Sequence, residues 1–351
     1  MSGLVRALIA RDRPVPPAAW HDLWDRLQAG SVAPVEAASI LSSLSTGLPD
    51  HATIVALLGS LAERRPGPKP VLPAGTVNIV GTGGGPATFN ISTAAAFVAA
   101  AIGVRVVKTG SRAYSSRCGS IDLLERLQIP LAGSPAQLED LLDRFGVAFA
   151  GGFVYPAELT LLARAVVPLE MKVVGRFFNV VGPFLADMPV AAQITGVSNP
   201  AVLPALKHLA SRETRRIWLC RNDLGIDELV SFDINVITPN DASQMSVGPL
   251  RQGIAVTGSP DDLAPAGDGT AVVDHFLGIL SGEGPAAAIQ TVSLNAAALA
   301  LIAGNAVDWA EAIEMARLAI RDGHARALAD TIRAFGRKRA PQLLPMGASH
   351  G

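Results

Sequence analysis

The spacing of apolar residues divides the chain into a helical first part and a mixed second part. Leu23 and Leu27 are four residues apart, and apolar positions recur every three residues from Val35 to Leu44. This spacing favours one face of an α-helix over a strand, so residues 1–66 are predicted to be helical. The stretch RRPGPKP at 64–70 is predicted to be a linker, because its prolines cannot continue a helix.

Beyond the linker, short apolar runs alternate with helical patterns. Strands are predicted at 77–80, 104–107, 147–150, 191–197, 216–220 and 235–238, with helices from 93, at 121–127 and from 156. Repeats of strand, loop and helix predict an α/β fold with a mainly parallel sheet and helices packed on it. The segment from about 272 to 335 is predicted to be helical again.

Composition narrows the class of protein. The chain has 351 residues, of which 49% are hydrophobic and 17% charged, and this indicates a core-rich globular protein of two domains. A net charge of −1 lacks the basic excess typical of nucleic-acid binding. Two cysteines do not make a disulfide framework, and neither a signal peptide nor an unbroken membrane span is recognisable. The expectation is a cytoplasmic protein without membrane contact.

A glycine-rich loop, GTGGGP at 81–86, follows the first predicted strand and precedes the stretch NIST at 90–93. Glycines let backbone amides approach an anion closely. Ser92 or Thr93 is suited to cap the next helix, whose first amides favour negative charge. The spacing matches neither the Walker A motif nor the full dinucleotide fingerprint. A phosphate site and an ordinary glycine turn with an N-cap therefore stay open as alternatives.

A second polar loop, residues 108–120, follows the next strand. It contains the cations Lys108 and Arg112, four serines and two glycines. Such groups can wrap phosphate oxygens, although solvated loops often have the same composition. Because ligands bind at the carboxyl ends of strands in open sheets, two such loops together favour phosphate binding. The adjacent carboxylates Asp227 and Glu228, after the strand at 216–220, are candidates for Mg²⁺ or for plain surface charge.

These segments together resemble the anthranilate phosphoribosyltransferase family, within the wider group that includes pyrimidine nucleoside phosphorylases. The similarity runs from about 77 to 122 and resumes at 147–156, at 175–183 (GRFFNVVGP), at 225–229 (GIDEL) and at 294–296. It implies a small all-helical domain, residues 1–66 joined by helices at about 165–188. It also implies a large α/β domain at 71–345 and a homodimer formed through the helical domain.

The resemblance implies an activity and a set of site residues. Phosphoribose would pass from 5-phosphoribosyl 1-diphosphate (PRPP) to a nitrogen of a small aromatic or heterocyclic acceptor, with Mg²⁺ bound and diphosphate released. Lys108 and Arg112 would be the catalytic cations, and Ser92, Asp227 and Glu228 would hold the metal. The donor-binding residues would be Gly81, Gly84, Thr88, Asn90, Ser92, Thr93, Lys108, Arg112, Ser115, Ser116 and Ser120.

The chain departs from the family pattern around the acceptor. The family usually has Asp after its four-residue glycine motif, where this chain has Gly85 in a loop one residue shorter. The acceptor-facing His and Asn of the family are Thr109 and Ser111 here, and Tyr155 replaces the His of a His-Pro pair. Glu170 stands where an arginine that binds the anthranilate carboxylate is expected. Since Glu170 would repel a carboxylate, the hypothesis is an acceptor other than anthranilate.

Three alternatives stay open. The chain could be a true anthranilate phosphoribosyltransferase of tryptophan biosynthesis with a divergent pocket. A pyrimidine nucleoside phosphorylase would use inorganic phosphate without Mg²⁺, and the pair at 227–228 speaks against it. A non-enzymatic, nucleic-acid-binding relative would need a basic groove, and the near-neutral net charge speaks against that.

Overall fold

The computed structural model describes residues 2–65, 69–110, 119–248, 257–267 and 269–339. Within these ranges the chain forms α-helices around one sheet. The helices are α1 (Gly3–Ala10), α2 (Pro17–Gln28), α3 (Pro34–Thr46), α4 (His51–Ala62), α5 (Ile91–Ala101), α6 (Ser120–Arg126), α7 (Pro135–Phe145), α8 (Ala157–Ala165), α9 (Met171–Val174), α10 (Arg176–Leu185), α11 (Leu203–Ala210), α12 (Thr270–Leu280), α13 (Ala286–Ala303), α14 (Trp309–Arg321) and α15 (His324–Arg339).

The described part of the chain contains a sheet of eight strands in the order β3-β4-β2-β1-β5-β6-β7-β8. Neighbours from β3 to β6 are parallel, and β7 and β8 are added antiparallel, so the predicted α/β fold with a mainly parallel sheet is confirmed. The strands are β1 (Val77–Gly81), β2 (Val106–Lys108), β3 (Leu131–Ala132), β4 (Val147–Ala150), β5 (Ala192–Gly196), β6 (Arg216–Asn222), β7 (Asn235–Pro239) and β8 (Met245–Val247).

The N-terminal helices share one hydrophobic cluster with helices from the middle of the chain. Trp20 and Trp24 of α2 are fully buried and stack with their ring centroids 6.1 Å apart. Leu162 of α8 and Phe177 of α10 belong to the same cluster. Chain segments far apart in sequence therefore bury their apolar faces together. The division into domains at 1–66 and 71–345, with 165–188 joining the first, stays a prediction.

One described helix, α13, is long and apolar enough to cross a membrane by length and composition. Its mean hydropathy is 1.7 over 18 residues, and 72% of it is buried inside the fold. It packs against α5 in the main hydrophobic cluster, which also contains residues of the sheet. Polar side chains on α13 also find partners there, since Asn295 exchanges hydrogen bonds with the backbone of Leu229. These contacts are typical of a buried core helix.

Candidate active site

A cavity of about 800 Å³ opens at the edge of the sheet where the parallel strands end. The loops after β1, β2, β4 and β6 form its wall together with α8, α9 and α10. Ligands bind at this edge in open α/β sheets. The predicted site residues that line the cavity are Gly81, Gly84, Thr88, Asn90, Ser92, Lys108, Thr109, Ser120, Tyr155, Asp227 and Glu228.

Two further predicted site residues, Thr93 and Glu170, do not line the cavity. Thr93 is fully buried inside α5, and its hydroxyl has no hydrogen-bond partner within the described ranges, so its placement gives no support to a contact with the donor. Glu170 is exposed at the start of α9 and does not line the cavity, whereas its neighbour Met171 does. The turn of the backbone into α9 thus directs Glu170 outward. Ser111, Arg112, Ser115 and Ser116 lie outside the described residues.

The glycine loop after β1 is shaped around Asp227. A Cβ atom at position 81 would lie 2.0 Å from Oδ2 of Asp227, and one at Gly196 would lie 1.5 Å from the Asp227 carbonyl oxygen. The backbone amide of Gly83 donates a hydrogen bond of 2.8 Å to the same Oδ2 atom. Glycine fits at position 81 because a side chain there would meet the Asp227 carboxylate, and at position 196 because a side chain there would meet the Asp227 backbone.

The next glycines of the loop, at positions 83 to 85, are needed for other reasons. Gly83 and Gly84 have φ angles of +64° and +82°, which other residues adopt only with strain. Gly85 has no such angle, but a Cβ there would lie 2.2 Å from the carbonyl oxygen of Gly225. The shortened loop therefore packs directly on the loop that carries the two carboxylates.

The N-cap of helix α5 lies two to three residues before the predicted one. Asn90 occupies the N-cap position, and Ser92 and Thr93 lie in the first turn instead. The prediction that one of them caps the helix is wrong, because the apolar Ile91 is fully buried and already belongs to the helix. Ser92 is thereby placed beside Glu228, where its amide and hydroxyl hydrogen-bond the carboxylate and partly offset the rise in pKa that burial causes.

Lys108 is the cationic side chain among the described lining residues. It is only 5% exposed, and its Nζ atom donates to the carbonyl oxygens of Ile79 (3.3 Å) and Thr109 (3.4 Å). Burial lowers the pKa of Lys108 to about 8, while the negative charges of Glu228 and Asp227 act in the opposite direction. A buried ammonium group at this edge can neutralise phosphate charge with little competition from water.

Asp227 and Glu228 form a half-buried carboxylate pair. Burial raises the pKa of both, and the charge of Asp227 raises that of Glu228 further, well above its ordinary value. The Oε2 atom of Glu228 is buried and has no hydrogen-bond partner in the described part of the protein. Two like charges with an unpartnered oxygen favour a bound cation, and carboxylate oxygens are the ligands that Mg²⁺ prefers.

The opposite end of the cavity is mainly apolar. Phe153, Leu159, Met171, Phe178 and Pro183 line it, and they come from the loop after β4 and from α8 to α10. Tyr155 and Asn179 are polar side chains at this end. The cavity thus combines a charged end built on the sheet with a flat-walled apolar end built on helices, and the second end suits an aromatic ring.

Comparison with known proteins identifies the group to which this architecture belongs. The family model described as "Glycosyl transferase family, a/b domain" matches residues 74–326. An anthranilate phosphoribosyltransferase from Methylorubrum populi is 34% identical over 314 residues, which cover 87% of this chain and 89% of the relative. One from Synechococcus elongatus is 36% identical over 259 residues, or 71% and 72% of the two chains.

The chain belongs to this glycosyl transferase family. Within it the chain is similar to the anthranilate phosphoribosyltransferases, and it is accordingly an enzyme of the glycosyltransferase type. The crystal structure of anthranilate phosphoribosyltransferase from Thermus thermophilus superposes with a TM-score of 0.79 at 28% identity, covering 96% of this chain and 100% of that one. The enzyme from Saccharomyces cerevisiae in complex with PRPP and Mg has the same fold, with a TM-score of 0.78 at 20% identity and coverage of 95% and 97%.

Compared with the family pattern, the residues of the charged end are the same, and residues that face the acceptor differ. Thr109 and Tyr155, which replace two family histidines, both line the cavity. Since Glu170 does not line the cavity, the repulsion predicted between it and a carboxylate acceptor has no structural basis. Among the side chains that the structure describes, Lys108 is the one cation that lines the cavity, and it lies at the charged end.

Several lining residues were outside the sequence prediction. Met171, Phe178 and Asn179 form much of the acceptor end, but they come from helices whose apolar spacing looks like ordinary core packing. Asn78 and Gln193 lie beneath the cavity and are fully buried. A signal for these two exists in the sequence, because each is a polar residue inside a strand predicted to be buried.

Proposed function

We propose that the protein is a Mg²⁺-dependent phosphoribosyltransferase that transfers phosphoribose from PRPP to a nitrogen of a neutral aromatic or heterocyclic acceptor. The observation that carries the proposal is the polarity of the cavity. Its charged end joins a glycine loop, the N-terminus of α5, Lys108 and two half-buried carboxylates, while its apolar end is lined mainly by aromatic and aliphatic side chains. The first suits a diphosphate donor and the second suits an uncharged ring.

The carboxylate pair fits Mg²⁺ by its chemistry. The described ranges contain no cluster of three or more His, Cys, Asp or Glu side chains, and the pair at 227–228 is therefore a two-carboxylate arrangement. Mg²⁺ is commonly held by one or two carboxylates plus substrate phosphates. Asp227, Glu228 and the hydroxyl of Ser92 would hold the ion, which when bound neutralises charge on the diphosphate group.

The residues of this chain would then act on the donor by position and charge. The backbone amides of Gly84 and Gly85 bind phosphate oxygens, and Lys108 stabilises the charge that grows on the leaving diphosphate. The C1–oxygen bond breaks with its electrons going to diphosphate, while a nitrogen lone pair forms the new C1–N bond. The nitrogen releases one proton to solvent. Arg112, the second predicted catalytic cation, lies outside the described residues.

Binding and turnover test the two halves of this proposal separately. Calorimetry should show PRPP binding that requires Mg²⁺, and diphosphate release should then be measured with aniline as a neutral acceptor and with anthranilate as an acidic one. Higher kcat/KM for aniline supports the neutral acceptor. Faster turnover of anthranilate would instead make the protein a true anthranilate phosphoribosyltransferase. Absence of Mg²⁺-dependent PRPP binding would contradict the donor assignment itself.

We further propose a homodimer formed through the helical part of the molecule. Val167, Leu169 and Val173 are 68%, 48% and 58% exposed and lie close together in sequence around the start of α9. Clustered exposed apolar side chains often mark protein interfaces. Light scattering should give the mass of a dimer for the wild type and that of a monomer for Val173→Glu. A wild-type monomer at micromolar concentration would contradict the proposal.

A further inference from the structure

Helices α9 and α10 meet at a break in the helical hydrogen-bond pattern. The Phe178 amide donates to the carbonyl oxygen of Gly175, three residues back, at 2.9 Å, so the Val174 carbonyl four residues back is released. The Phe177 amide lies in the first turn of α10, where amides have no partner within their own helix. Polar backbone groups inside a protein need partners, so this junction requires a donor and an acceptor from elsewhere.

The N-cap residue of α10 cannot supply them. That residue is Gly175, which has no side chain to accept from the helix. A Cβ atom there would lie 2.6 Å from the Met171 carbonyl oxygen and 2.8 Å from the Met171 Cε atom. The residues that usually cap helices, Ser, Thr, Asp and Asn, are thereby excluded at this position. The absence of a side chain at Gly175 leaves room for Met171, which packs across the break and lines the cavity.

Ser45 of α3 caps the junction from another part of the chain. Its hydroxyl donates to the Val174 carbonyl oxygen at 2.7 Å and accepts from the Phe177 amide at 3.3 Å. A hydroxyl can do both at once, since it carries one proton and two lone pairs. The two partners are 129 and 132 positions from Ser45 in sequence. This cap therefore joins the N-terminal helices directly to the helices that form the acceptor end of the cavity.

The start of α10 connects that cap with the cavity. Phe177 is buried in the cluster of the N-terminal helices, and Phe178 beside it lines the cavity. Their rings meet edge-on with centroids 5.3 Å apart, so the two side chains are expected to shift together. The other end of α10 is held separately, since Gln193 donates to the Pro183 carbonyl oxygen at 3.1 Å. Loss of the cap at Ser45 should therefore move the first turn of α10 and leave its end in place.

From this arrangement we infer that Ser45 is a positioning residue for the acceptor, because its hydroxyl holds Met171 and Phe178 in place at the apolar end of the cavity. The inference rests on the proposed phosphoribosyltransferase function and adds to its site a residue from the N-terminal helices. Ser45 is not among the described residues that line the cavity, so it acts through its two neighbours. Both of its hydrogen bonds go to the α9–α10 junction, so acceptor binding should depend on Ser45 and donor binding should not.

Steady-state kinetics of Ser45→Ala tests this separation. The acceptor probe is aniline or anthranilate, whichever the wild type turns over with the higher kcat/KM. With Mg²⁺ and saturating PRPP, KM for that amine should rise about tenfold, as expected for the loss of a helix cap that places the wall. The value of kcat should change less than about twofold, because the wall holds the ring equally in the ground state and the transition state. The dissociation constant of PRPP with Mg²⁺, measured by calorimetry, should also change less than about twofold.

Hydrogen exchange tests the cap without turnover. In Ser45→Ala, amides in the first turn of α10 should exchange about fivefold faster than in the wild type, and amides of α5 should be unchanged. Ser45→Thr keeps the hydroxyl and should behave like the wild type in exchange and in kinetics. Ser39→Ala is the matched control on the same helix, because the Ser39 hydroxyl donates to the Val35 carbonyl oxygen of α3 itself, at 2.7 Å.

The outcomes distinguish this inference from the function on which it rests. An unchanged KM for the amine, or unchanged exchange in α10, would overturn the role of Ser45. Equal losses of amine and PRPP affinity would do the same, since they would indicate a general loss of structure, and so would an equal effect of Ser39→Ala. Absence of Mg²⁺-dependent PRPP binding in the wild type, or of turnover with either amine, would instead overturn the proposed function and this inference with it.

Discussion

Gly81 and Asp227 approach each other so closely that a single added carbon at position 81 would lie 2.0 Å from a carboxylate oxygen. The loop after β1 and the loop after β6 are therefore built as one unit, although 146 positions separate the two residues in sequence. The same carboxylate accepts the Gly83 amide at 2.8 Å. The phosphate-binding loop and the metal-binding pair of the proposed site are in direct contact.

The substitution Gly81→Ala tests this contact. The new methyl group must push Asp227 aside, at a cost of about 1–3 kcal/mol for overpacking. A carboxylate displaced by about 1 Å should reduce turnover by on the order of 100-fold. Chemical denaturation and diphosphate release measure the two effects. Gly59→Ala on α4 is the matched control, because a Cβ there meets nothing within 4 Å; equal behaviour of the two variants would contradict the packing argument.

A second prediction concerns Gly85, which stands where the family usually has Asp. Restoring it with Gly85→Asp should not create a family-like site, because any Cβ there lies 2.2 Å from the Gly225 carbonyl oxygen. We expect a loss of stability of about 1–3 kcal/mol, and a similar loss for Gly85→Ala. Gly83→Asn serves as control, since its Cβ would meet open space and Asn tolerates a positive φ. A Gly85→Asp protein as stable as the wild type would show that the loop has room.

The sequence predicted two kinds of feature. These are the helices and strands whose apolar residues recur at regular spacing, and the loops that are dense in polar residues. The strand at 147–150 has the predicted bounds, and the other predicted strands agree within about two residues. The strands β3 and β8 have only two and three residues, which is too short for a period to show. The antiparallel pairing of β6 with β7 depends on a loop path that no local pattern encodes.

The site divides in the same way. Lys108, Ser92 and Asp227 follow strands directly or begin the next helix, and parallel topology brings strand ends to one edge, so their meeting could be predicted. The sequence could not place Glu170, because neighbouring side chains at the start of a helix point in different directions. Met171 lines the cavity, whereas Glu170, one residue before it, is exposed to solvent. Asn179 was missed for a related reason: its neighbours are core residues of α10, and only the fold shows which face of that helix meets the cavity.

For Glu228 we predict that a substitution which abolishes metal binding makes the metal-free protein more stable. In the metal-free protein its carboxyl group is buried beside Asp227 and has an unpartnered oxygen. Burial and the charge of Asp227 raise the pKa of Glu228, so its ionised form is destabilising here; Glu228→Gln removes that ionisation without a change of shape, and the metal-free protein should gain on the order of 1 kcal/mol of stability. The increase in melting temperature that Mg²⁺ and PRPP together give the wild type should disappear. Thermal unfolding with chelator, and then with Mg²⁺ and PRPP, measures both. A variant that is less stable without metal, or that keeps the ligand-induced increase, would contradict this account.

Lys108 should make anion binding depend on pH. Its pKa of about 8 lies below the ordinary 10.5 because burial disfavours the charged form. An anion binds the protonated form, so affinity is complete below pH 8 and falls as pH rises through that value. Asp227 and Glu228, which face Lys108, act in the same direction because they gain negative charge as pH rises.

Sulfate is a suitable probe for Lys108, because its charge does not change between pH 7 and 9. In metal-free buffer its affinity, measured by calorimetry, should fall about tenfold over that range, following the protonated fraction of a group with this pKa. The variant Lys108→Met should bind sulfate weakly at pH 7 and show a much smaller decrease towards pH 9. If the wild type binds sulfate equally at pH 7 and 9, or if the variant keeps the full decrease, Lys108 is not the group that meets the anion. The carboxylates would then be the source of any pH dependence, since both variant and wild type retain them.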